Sequence, residues 1–140
     1  MEKIVMAATV PDKPAARPSL GLRIALRALL LIAILVAGFV LYSWLVLTWS
    51  YSEGERAGVL QKFSRKGWVC KTYEGELAIS IVPGVTPTIW DFSVRDEAVA
   101  RQMDQAIGKR VVLHYKEHRG VPSECFGETS YFVDSVRLVE

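Results

Sequence analysis

Two cysteines, Cys70 and Cys125, and two histidines, His114 and His118, have the widest chemical reach in this chain. Thiolate and imidazole bind zinc or copper, and two thiols in an oxidising compartment can form a disulfide. The spacing argues against a shared metal. His114 and His118 fall on or beside a strand pattern, where four residues separate their backbones by roughly 13 Å at about 3.3 Å per residue. No C-x-x-C or H-E-x-x-H accompanies them. They read as surface histidines, with no metal and no cofactor expected.

Glu74 and Glu76 are the paired carboxylates of the chain, about 7 Å apart if they share one strand face. Carboxylates at that distance can do acid–base work on glycosides. Any i, i+2 pair on a strand has this separation, however, and a solvated face beside Lys71 accounts for them. G-x-S-x-G, a P-loop G-K-[ST] and a G-x-G-x-x-G are all missing. No catalytic residue is assigned, and the chain reads as a non-enzyme. A third group interleaves Trp68, Tyr73, Trp90, Phe126, Tyr131 and Phe132 with Lys62, Arg65, Lys66, Lys71 and Arg119. Most of these rings are expected to fill a core, and the exposed remainder could bind a partner.

Placement of these residues is governed by the N-terminal third. No charged residue lies between Arg27 and Glu53, and Ala28 to Trp49 is nearly unbroken aliphatic and aromatic. A helix of that length extends about 33 Å, enough for a hydrocarbon core of about 30 Å. We therefore read residues 1–22 as a flexible cytoplasmic tail, 23–50 as a transmembrane helix and 52–140 as an extracytoplasmic domain. Lys3, Lys13, Arg17, Arg23 and Arg27 precede the helix against only Glu2 and Asp12. That excess keeps the N-terminus in the cytoplasm, and Tyr42, Trp44, Trp49 and Tyr51 suit the outer headgroup layer. A cleaved signal peptide is the competing reading. Its apolar region would be shorter and would end on small residues, whereas this run closes on Leu47-Thr48-Trp49-Ser50-Tyr51-Ser52.

The domain after the helix holds 12 Lys and Arg against 13 Asp and Glu, a net −1. A nucleic-acid binder normally carries a clear positive excess, so nucleic acid is excluded as a partner on this reading. Strands are expected at 57–64, 68–81, 88–94, about 110–116 and 131–139. Arg65-Lys66-Gly67 forms the first hairpin loop, and about seven residues separate Trp49 from the first strand. Ser93-Val94-Arg95-Asp96 resembles a capping box. It opens a helix at about 96–107 whose buried face is Val99, Met103, Ala106 and Ile107 and which Gly108 ends.

The resulting order, β-β-β-α-β-β, resembles the OB-fold, a small Greek-key barrel; a meander packed on one helix is the alternative. The resemblance implies a small mainly-β domain whose ligand face is flanked by the loop at 65–67 and the loop at 117–129. Candidate binding residues there are Arg65, Lys66, Trp68, Lys71, Arg119 and Phe126. The barrel also brings the neighbourhoods of Cys70 and Cys125 together. A disulfide then fits a small outward-facing domain, with two reduced thiols as the alternative.

The segments Tyr51 to Gly58 and Lys66 to Leu77 resemble a group of short bacterial single-pass membrane proteins of uncharacterised function, some of them labelled phosphogluconate dehydrogenase. That label finds no parallel βαβ unit or glycine fingerprint here. The resemblance implies a bacterial inner membrane, with the domain on the periplasmic side. A domain so closely tethered is expected to contact the bilayer and neighbouring membrane or envelope proteins as a non-catalytic interaction module. Envelope small-ligand or glycan binding is the alternative, followed by a metal-dependent enzyme built on Cys70, Cys125, His114 and His118.

Overall fold

A computed structural model describes residues 19–79 and 82–139. The expected tail therefore lies outside the described residues as far as residue 18, as does Ile81, the expected end of the second strand. Helix α1 runs from Leu20 to Thr48, starting three residues ahead of the expected 23. Ser19 stands at its start, with its Oγ accepting from the Leu22 amide at 3.4 Å. The helix is long and apolar enough to cross a membrane. From Leu20 to Leu45 its Leu, Ile and Val side chains are exposed, so apolar surroundings such as lipid are needed to offset their hydration cost. From Phe39 onward its residues belong to the same compact unit as the β domain.

Five strands follow: β1 (Ser52–Lys66), β2 (Thr72–Ala78), β3 (Ile89–Val94), β4 (Arg110–Glu117) and β5 (Tyr131–Leu138), with helix α2 (Glu97–Ala106) between β3 and β4. They close into a barrel in the order β1-β2-β3-β5-β4. This is the expected OB-like architecture. The length of β1 makes closure possible, because its first half pairs with β4 (Ser52↔Glu117 to Val59↔Arg110) and its second half with β2 (up to Lys66↔Thr72). Gly58 lies where the strand passes from one partner to the other. A Cβ there would overlap the Ala78 carbonyl oxygen, so only glycine allows the approach. The parallel pairs Ser93↔Phe132 and Val94↔Val133 complete the ring.

Several expected boundaries move. β1 begins at Ser52 and not at Ala57, leaving three residues, Trp49 to Tyr51, as the connector; the Tyr51 amide already donates to the Glu117 carbonyl at 2.7 Å. Arg65 and Lys66 extend β1, whereas Trp68 to Cys70 lie in the turn and not in β2. The N-cap of α2 is Asp96, whose Oδ1 accepts from the Ala98 amide at 2.6 Å. Ser93 plays no part in the cap, because it is a buried β3 residue. Ile107 is half exposed, and Ala100 takes its place beside Val99, Met103 and Ala106 against the barrel. The core they complete holds Leu60, Leu77, Phe92, Val111 and Leu113, none measurably exposed.

Candidate functional site

The β1–β2 loop (67–71) and the β4–β5 loop (118–130) meet. Cys70 and Cys125 stand at disulfide distance, with Cα atoms 4.9 Å apart, and are 55 positions apart in sequence. Lys66 Nζ lies 2.6 Å from Glu128 Oε2 beside this junction. The carboxylate of Glu128 raises the Lys66 pKa above its ordinary value of 10.5, first by that hydrogen bond and then by its charge, with Glu74 and Glu76 adding to it.

The long loop does not merely flank the β2–β3 face; it lies on it. Glu128 donates its amide to Glu74 Oε1 at 3.1 Å, and Ser93 Oγ donates to Glu74 Oε2 at 2.6 Å. Thr129 completes the contact, its amide donating to Ser93 Oγ at 3.1 Å and its hydroxyl to the Tyr131 carbonyl at 2.9 Å. Glu74 is therefore buried, where the sequence pattern puts it on a solvated face. Its desolvation is offset by two donors that come from β3 and from a loop 54 positions away, which no local pattern reveals. Glu76 pairs with Lys62 at 2.8 Å and stays partly exposed. What remains open on this face is a polar groove of about 290 Å³ lined by Lys62, Lys66, Glu74, Glu76, Asp91 and Glu128. Its two cations are taken up by Glu76 and Glu128, which leaves Glu74 and Asp91 without a cation among the described residues and the groove net acidic.

The candidate binding residues divide into two places. Arg65 stacks over Tyr73 at 5.5 Å, Lys71 is exposed, and half-buried Phe126 follows Cys125. Trp68 and Val69 are fully exposed at 103% and 95%, above a depression of about 460 Å³ bounded by Cys70, Ser123, Cys125 and Glu128. Arg119 is elsewhere. Its guanidinium lies 3.6 Å over the Tyr51 ring and its Nε donates to Glu117 Oε1 at 3.0 Å, beside the α1 connector. That hydrogen bond raises its pKa above the ordinary guanidinium value.

His118 corrects the reading of two surface histidines. It is 5% exposed, with its ring edge-on to Phe132 and its Nδ1 against the carbonyls of Val46 (2.9 Å) and Trp49 (3.1 Å). Beside it, Tyr42 donates its hydroxyl to the Gly120 carbonyl at 2.9 Å. His114 lies on β4, where Nδ1 contacts Asp134 Oδ1 at 2.6 Å. Among the described residues, no three His, Cys, Asp or Glu side chains are grouped to hold a metal ion.

Among solved structures the chain is similar to the mitochondrial single-stranded DNA binding protein Rim1 of S. cerevisiae. The two are 10% identical with a TM-score of 0.49, over 66% of this chain and 97% of that one. No curated protein matches this chain. The exclusion of nucleic acid drawn from the domain's charge of −1 does not stand, since the similar structure is that of a protein named for binding single-stranded DNA. A net charge also averages over a surface, and here Arg65, Lys66 and Lys71 gather at one loop. The profile of one family covers residues 49–138, the α1 connector and the whole barrel, and by that match the chain belongs to the family described as Domain of unknown function (DUF8785).

Proposed function

We propose that the chain is a membrane-anchored, non-catalytic interaction module that engages a membrane or envelope protein through the tip of its β1–β2 loop. The observation that carries this reading is the complete exposure of Trp68 and Val69 on a loop held to the β4–β5 loop by the Cys70–Cys125 pair. A tryptophan on a preorganised loop is suited to anchoring an interface, since little conformational freedom remains to be lost on binding. Trp68 follows the end of β1 remote from the α1 connector, so a tethered barrel would present it to neighbours.

In this reading α1 spans a bacterial inner membrane with its basic N-terminal flank in the cytoplasm. The barrel then stands on the oxidising side, where a disulfide between Cys70 and Cys125 persists. A reporter fused after Glu140 checks the orientation: activity of a periplasm-dependent reporter supports it, and activity of a cytoplasm-dependent one overturns it. The partner is tested with photoreactive side chains at Arg65 and Val69 in full-length protein in native membranes. One dominant protein adduct, lost on Trp68→Ala with unchanged thermal stability, is the expected result. Diffuse adducts, or adducts indifferent to Trp68→Ala, overturn the assignment of the tip.

A further inference from the structure

Three aromatic rings surround one half-buried cation at an end of the barrel. The Arg56 guanidinium of β1 lies 4.8 Å from the Trp90 ring, 5.5 Å from Tyr115 and 5.7 Å from Tyr131. The rings contact one another at 5.2–5.6 Å between centroids, with interplanar angles of 60–81°. They come from β3, β4 and β5, so only barrel closure assembles the box. It stands at the barrel end that the chain enters from α1: Tyr131 pairs with Glu117, and Glu117 pairs with Ser52, the first residue of β1.

Two donor-only groups share this box. A guanidinium carries five N–H donors and no acceptor, and an indole carries one N–H. Ring faces hold the Arg56 charge by cation–π attraction but present no oxygen to its N–H groups. Among the described residues Arg56 joins no ion pair; its neighbour Glu55 faces the other side of the strand and meets Arg137. Trp90 is 6% exposed, and its Nε1 is the one buried side-chain polar atom among the described residues with no hydrogen-bond partner. A buried donor without an acceptor costs free energy, and here it borders a charge without a counter-ion.

We propose that Arg56 and Trp90 form an anion site that takes a phosphate oxyanion, supplied by a phospholipid headgroup or by free phosphate. A phosphate can accept a bidentate guanidinium fork from Arg56, and where the rings part to admit it at the barrel end it can also offer an oxygen to the buried indole N–H. The ring box fixes the guanidinium plane in advance, so little side-chain freedom is lost on binding. The lipid source rests on the membrane-anchor reading, whereas the site itself does not.

The test uses the full chain in dodecyl maltoside micelles, a detergent without phosphate, with 15N in the Trp indole and Arg side chains. Inorganic phosphate and the soluble phosphodiester glycerophosphoglycerol are titrated separately. The Trp90 indole and Arg56 Nε resonances are expected to move together and saturate. Saturation by the diester assigns the site to a lipid headgroup, and saturation by inorganic phosphate alone assigns it to free phosphate. Arg56→Gln should abolish the movement while the other three of the four indole signals stay in place. If that variant does not fold, Arg56→Lys keeps the charge but loses the planar fork, and about tenfold weaker binding or more is expected. Resonances that ignore both anions, or that move unchanged in Arg56→Lys, overturn the proposal.

Discussion

The Nδ1 atom of His118 stands 2.9 Å from the carbonyl oxygen of Val46, 72 positions earlier, and 3.1 Å from that of Trp49. Both partners are acceptors, so Nδ1 carries the proton and donates. Carbonyls in the last turn of a helix have no partner within it, and here a side chain from the β4–β5 loop supplies one. His118→Ala should lower stability by about 1–3 kcal/mol, because it uncaps these carbonyls and leaves a cavity against Phe132. Hydrogen exchange at the amides of residues 49–52 should quicken by the same mutation, and unchanged exchange there would show that the cap does not hold the connector.

Gly75 is buried in β2 directly across from Phe92, and a Cβ at Gly75 would overlap that ring. Phe92 is itself completely buried with no free space to enter, so the strand must shift. Gly75→Ala should cost about 1–3 kcal/mol by overpacking. Thermal melting checks this, with Gly84→Ala as a contrast: nothing lies within 4 Å of a Cβ there, and the strain comes only from its φ of 84°.

The Cys70–Cys125 pair closes a loop that contains β2, β3, α2 and β4. In the chain-entropy account a cross-link over that span contributes about 4 kcal/mol, so Cys70→Ser in oxidised protein should lower stability by up to that amount. Alkylation of unreduced protein followed by mass spectrometry is the direct check. Label on both thiols would show that they are not bonded.

Lys66 and Glu128 make an ion pair whose members are 49% and 39% exposed, which limits it to about 0.2–1 kcal/mol. Its raised folded-state pKa means that the contribution is complete below the ordinary value of 10.5 and fades as pH rises through the folded value. Lys66→Met should therefore be less stable than wild type at neutral pH and converge with it in strong alkali. Melting curves at pH 7 and above 10.5 distinguish this from a packing effect, which would persist at both.

Short-range pattern determined much of this protein from sequence alone. The uncharged run after Arg27 specifies an apolar helix, alternation of Val111, Leu113 and Tyr115 with polar neighbours specifies a strand with one wet face, and Gly108 stops α2 at a φ of 78°. Each depends on residues within a turn or two, so a single pass along the chain finds it. Element order then suggests the barrel, and the barrel brings the two cysteines together.

Tertiary structure alone decided the rest. Glu74 and Glu76 look alike in sequence, yet one is buried because Ser93 and the loop at Glu128 cover it, and the other meets Lys62. His118 became a helix cap because the β4–β5 loop turns back onto α1, and Arg119, its neighbour, was drawn to Tyr51 and away from the loop tip. Arg56 entered a box whose walls come from three other strands. Burial of a polar side chain depends on which distant donors, acceptors and rings the closed register places around it, and periodicity reports only which side of its own element it occupies.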